Sequence, residues 1–148
     1  MLGGIAVIGL ILLATWGIAA FISAGGAEST ERLAPVTFNA GNAEVRAETV
    51  EEEGPLILPG LETTSGERTL VVDHEGDDPT QGWRVYWAYP AGRDASCAVE
   101  QVRGTSEFVD CADRRIDVTE LAAADGVRPI VENRETLILD LRGATRGE

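Results

Sequence analysis

The chain has no lysine, a single histidine, two cysteines and few aromatic residues (5%) among its 148 residues. With 25 acidic side chains against 12 basic ones, all of them arginine, the formal net charge is -13 and the sequence pI is near 4.4, which excludes a basic nucleic-acid binder. An acidic, lysine-free composition is of the kind that high-salt or GC-rich sources favour. There is no Ser-His-Asp order, no phosphate-cradling glycine loop, no zinc-ligand spacing and no convincing pair of carboxylates. With one histidine besides, an independent hydrolase is argued against, and no catalytic activity of its own is expected. Residues 1–27 carry no side-chain charge at all, so every acidic and basic group falls between Glu28 and Glu148. The chain is therefore two physical objects, one apolar and one acidic.

The apolar object reads LGGIAVIGLILLATWGIAAFISA from Leu2 to Ala24, with only Thr15 and Ser23 as ordinary polar interruptions. As a helix it would be about 33 Å long, enough for a hydrocarbon core of roughly 30 Å. The pattern predicts a transmembrane anchor over residues 1–24. A cleaved signal peptide is the competing reading, because small residues (Ala24, Gly25, Gly26, Ala27) follow the run; the length of the run and the lack of a basic n-region favour the anchor. No cysteine lies near its end, which argues against a lipoprotein anchor. The nearest arginine, Arg32, barely biases orientation. With almost nothing ahead of the span, the expectation is a single-pass protein of the cell membrane, N-terminus inside and C-terminal domain extracytoplasmic. Gly3, Gly4, Gly9, Gly17, Ala19 and Ala20 would permit close packing on a partner helix.

Residues 25–42, GGAESTERLAPVTFNAGN, mix Gly, Ser, Pro and Asn without a sustained period and predict a linker, leaving a folded domain over 43–148. That domain is a series of short β-branched or alternating runs with turn residues between them: AEVRAETV, LIL between Pro55 and Pro59, TLVVD, WRVYWAY, EFVD, RIDV, RPIV and TLILDL. The spacing predicts an all-β class, a small antiparallel sandwich or barrel. Only VTELAAAD, with Thr119 as N-cap, reads as a short helix. Trp83, Val85 and Trp87 alternate with Arg84, Tyr86 and Ala88, which predicts a central strand whose tryptophans fill the core; a binding platform would use the same residues. Leu137, Leu139 and Leu141 alternate with Ile138 and Asp140 in a late strand expected to close the sheet.

Cys97 and Cys111 enclose a short loop, and in an extracytoplasmic domain the default expectation is a disulfide between them. Their surroundings also carry a resemblance. GPLILPGL precedes the strand TLVVDHEGDDPTQGW; GWRVYWAYPAG leads to Cys97; EFVDC supplies Cys111; RPIVENRETLILDL makes a final hairpin. Over most of residues 45–142 this layout resembles the Rieske-type iron–sulfur domain, an all-β domain anchored by one N-terminal helix in respiratory cytochrome complexes. In that family a C-x-H loop and a later C-x-x-H loop give two Cys and two His ligands to a [2Fe–2S] cluster. Here Cys97 and Cys111 match the ligand cysteines, but Val99 and Arg114 stand where the two histidines belong. Aligning Cys111 with the family's non-ligand cysteine instead puts Ala112 at the histidine position. The one histidine, His74, precedes both cysteines, so a single chain cannot supply two Cys and two His.

The resemblance therefore implies a Rieske-like β domain behind one N-terminal transmembrane helix, without a standard cluster and with no cofactor expected. It would be a structural or accessory subunit that docks on a protein partner in a membrane redox or transport complex. The alternative is an electron-transfer protein with an atypical [2Fe–2S] cluster, with Asp110 and Asp113 or a partner chain replacing the histidines; hard carboxylates match that cluster poorly. A redox-active cysteine pair lacks both the C-x-x-C spacing and a basic cluster beside Cys97. An unrelated β-sandwich binding module remains open as a third reading. Two acidic runs stand out besides. Asp73, Glu75, Asp77 and Asp78 surround His74 in what reads as a solvated turn rather than a calcium loop, and Glu51, Glu52 and Glu53 form a solvated face or an attachment surface for a cationic partner.

Overall fold

A computed structural model describes residues 37–63 and 66–144. The expected membrane span at 1–24, and residues 25–36 of the expected linker, lie outside the described residues. Among the described residues no helix is long and apolar enough to cross a membrane.

Among the described residues ten strands form three antiparallel sheets, which bears out the all-β class. The first sheet has the order β1 (Thr37–Asn42), β10 (Thr136–Asp140), β9 (Arg128–Glu132). The second has the order β2 (Leu56–Thr63), β3 (Gly66–His74), β4 (Trp83–Pro90), β8 (Leu121–Ala123). The third joins β5 (Glu100–Gln101), β6 (Glu107–Val109) and β7 (Arg115–Asp117).

The second sheet contributes to two cores, as period-two alternation along β3 and β4 requires. Leu70, Val72, Trp87 and Tyr89 meet Leu137, Leu139 and Leu141 in the larger cluster, against which Trp83 and Val85 also pack. Val71 and Ala88 point the other way, to Phe108, Ile116, Val118 and Leu121, with Tyr86 packed alongside. The expected alternation of β4 is therefore observed, with apolar packing on both sides, and both tryptophans pack in the larger core.

Four expectations are corrected. Residues 37–42 of the expected linker belong to the fold, because β1 pairs with β10 from Thr37↔Asp140 to Asn42↔Thr136, so the expected linker ends in a strand. AEVRAETV is not a strand. It forms most of the helix α1 (Ala43–Glu53), whose Ala, Glu and Arg are good helix formers and whose first turn is capped by the Asn42 side chain accepting the Val45 N–H at 3.0 Å. Gly54, at φ 87°, stops it and returns its N–H to the Val50 carbonyl at 2.9 Å. VTELAAAD is a single 3-10 turn, Val118–Glu120, followed by β8. Its cap is Asp117 rather than Thr119, because Asp117 and Glu120 satisfy each other's backbone N–H groups in a capping box. Finally, β10 does not close a sheet; it lies between β1 and β9 at the centre of one.

Candidate functional site

The two cysteines lie in loops that the β framework brings together. The first loop leaves β4 after Pro90 and the second links β6 to β7; the structure joins them through a Cys97–Cys111 disulfide with the Cα atoms 5.0 Å apart. Cys97 is buried, whereas Cys111 is exposed. Each loop is fixed from within by an aspartate. In the first, Asp94 accepts the Ser96 N–H at 2.9 Å and the Ser96 hydroxyl at 2.5 Å, and its carbonyl accepts the Cys97 N–H at 3.0 Å. Those side-chain contacts hold the Asp94 carboxyl below the usual carboxylate range. The Val99 N–H then donates to the Ala88 carbonyl at 3.1 Å, tying the loop to β4.

In the second loop the buried Asp110 takes four donors. Its Oδ1 accepts the N–H groups of Ala112 (2.8 Å) and Arg114 (3.0 Å), and its Oδ2 accepts Arg114 Nε (2.9 Å) and Nη2 (2.6 Å). The Arg114 N–H leads the contacts that lower the Asp110 carboxyl, against the opposing effect of burial. Asp113, at φ 57°, completes this turn and is exposed.

These contacts test whether the residues fit a [2Fe–2S] cluster. Both sulfurs are spent on each other. Val99, at one histidine position, is half-buried against the smaller core, and Arg114, at the other, is a cation engaged with Asp110. Asp110 has its oxygens committed to the loop. His74 lies on β3, its ring tilted 49° against Trp83 with centroids 4.6 Å apart; its Nε2 faces the carbonyls of Asp78 (3.0 Å) and Gln81 (2.9 Å) and so must carry the proton. The described residues do not fit the cluster.

A second feature is an acidic groove of 730 Å³ between α1, the β3–β4 turn and the loop after β5. Glu44, Glu48 and Glu51 line it from the helix, Asp73 and His74 from the end of β3, and Asp77 from the turn. Burial pushes the Asp73 carboxyl up, opposed by the His74 N–H and by the charge of Arg84. The two acidic runs, distant in sequence, thus share one groove, although Glu52 and Glu53 do not line it. The Asp78 carboxylate is turned inward on its own loop, accepting from Thr80 and Gln81.

Sequence reasoning missed Asp140, which is buried beneath the guanidinium groups of Arg128 and Arg142 (each 2.8 Å from its Oδ2). It also missed the cavity beside the first cysteine loop described below. The Asp-x-Arg spacing of residues 140–142 was the available signal for the first; nothing local pointed to the second. No protein-family model matches the chain, and no curated protein or solved structure matches it either.

Proposed function

We propose that this chain is a membrane-anchored, extracytoplasmic domain of Rieske-like architecture that has lost the standard cluster and serves as a structural or accessory subunit of a membrane redox or transport complex. One observation carries this reading: the two cysteines that the resemblance aligns with cluster ligands are joined to each other, so the thiolates a cluster would need form a cross-link between the loops. The pairing of β9 with β10 as an antiparallel hairpin also supports the reading. So does the acidic groove, whose carboxylates suit a cationic partner surface.

The test is the native intact mass of the gently extracted protein, with its iron and sulfide content, followed by the same measurement on Cys97→Ser. A metal-free mass two hydrogens light is expected. The variant should lose about 3 kcal/mol of stability, the order expected for a closed loop of this size, with no change in iron. Stoichiometric iron in the wild-type protein would overturn the proposal.

A further inference from the structure

We propose that the cavity beside the first cysteine loop binds a small organic anion, a carboxylate carried on a flat apolar body. The cavity has a volume of 420 Å³, within the range of about 300–1,000 Å³ common for small-ligand sites. Arg68 and Thr69 line it from β3, Trp87 and Tyr89 from β4, and Ala95 and Val99 from the loop that carries Cys97.

Two donors on this cavity have no protein acceptor among the described residues. Arg68 is half-buried, yet among the described residues its guanidinium makes no hydrogen bond or ion pair, in a chain that carries 25 carboxylates. The Tyr89 hydroxyl likewise has no hydrogen-bond partner among the described residues. The two side chains lie within electrostatic reach of each other, and burial keeps the phenol protonated by pushing its pKa upward, so it remains a donor at neutral pH. Among the described residues no buried side-chain polar atom lacks a partner, so both donors reach solvent, and an anion entering the cavity would exchange their water for charge-assisted hydrogen bonds. The planar guanidinium selects a carboxylate, which it can grip with two parallel N–H donors while the phenol supplies a third.

The rest of the lining selects the body of the ligand. Trp87 and Tyr89 lie two residues apart on one face of β4, with ring planes 3° apart and centroids separated by 6.5 Å, and so form a flat apolar wall. Ala95, Ala98 and Val99 complete the lining with small aliphatic side chains. A cation finds no carboxylate in this lining, and a bare polar anion would leave the aromatic wall unused. The site uses neither cysteine and does not depend on the role proposed above.

The experiment uses the full chain in detergent micelles with its three tryptophans replaced by fluorotryptophan, the Trp87 fluorine resonance being assigned through Trp87→Phe. The probes are benzoate, its neutral isostere benzamide, and acetate, which lacks the apolar body. Benzoate should move the Trp87 resonance saturably and leave Trp83 in place, with an affinity about ten-fold or more above that of either control. Arg68→Gln should weaken benzoate by about ten-fold or more, and Arg68→Lys, which keeps the charge but loses the fork, by less. If Arg68→Gln also shifts Trp83, a sign of altered folding, Tyr89→Phe decides, with weaker benzoate binding expected. Absence of a saturable Trp87 shift up to about 20 mM benzoate would overturn the proposal. So would equal affinity for benzoate and benzamide, or undiminished binding by the deciding variant.

Discussion

Asp140 is 1% exposed and accepts from Arg128 Nη2 (2.8 Å) and from the Arg142 backbone N–H (3.1 Å), Nε (2.9 Å) and Nη2 (2.8 Å). The Arg142 side chain leads in holding this carboxyl far below the usual carboxylate range. A folded-state pKa depressed in this way gives stability that is complete above the ordinary aspartate value of about 3.9 and is lost as pH falls toward the folded value. Asp140→Asn should therefore lower the urea midpoint at neutral pH, and the gap to wild type should narrow below about pH 4. Urea titrations from neutral pH down to about pH 3 check this, and a gap that stays constant would assign the effect to packing rather than charge. The sequence showed Asp140 only as the outward member of a leucine alternation; period two says which side a residue faces, not whether that side is covered. The same limit applied at Arg114 and Asp110. Each was read against a cluster, one as a lost histidine and the other as a substitute ligand, whereas the structure pairs them with each other.

Strands were legible where alternation was strong. TLVVD, WRVYWAY and TLILDL all became strands because each buries a row of side chains on at least one face of its sheet. Helix α1 escaped because only Ala43 and Val50 of its residues are buried, too few to print a 3.6-residue period. Its signal was the cap instead. Asn42 is both the last residue of β1 and the cap of α1, so the turn from sheet to helix hangs on one side chain. Asn42→Ala should cost about 1 kcal/mol, within the usual range for losing a cap, measured as a lowered unfolding midpoint. A change near zero would mean that packing of Ala43 and Val50 sets the helix start without the cap. The cysteine loops were legible as a pair, but not the aspartate turns that shape them, because Asx turns leave only short local spacings such as Asp94-x-Ser96 and Asp110-x-Ala112.

The whole chain carries a formal charge of -13, and its charges do not cancel locally. The described ion pairs of Glu107 and Glu75, with Arg115 and Arg84 respectively, join partly exposed side chains, a class that contributes about 0–1 kcal/mol each. Against them stands the groove where Glu44, Glu48, Glu51, Asp73 and Asp77 gather with no arginine in the lining. Repulsion among like charges should therefore outweigh attraction at low ionic strength, despite the well-paired Asp140 and Asp110. Thermal unfolding at neutral pH should shift upward as sodium chloride is raised from about 10 mM to about 150 mM, over which the screening length falls from about 30 Å to about 8 Å. Near the sequence pI of about 4.4 the same salt series should be flat, because the net charge that salt screens is gone. A midpoint that falls with added salt at neutral pH would show instead that ion pairing, led by the arginine-covered carboxylates, dominates the charge balance of the fold. If repulsion dominates, a cationic partner surface seated in the groove should raise the midpoint further at low salt than at high salt, since the charges it neutralises are those that salt would otherwise screen.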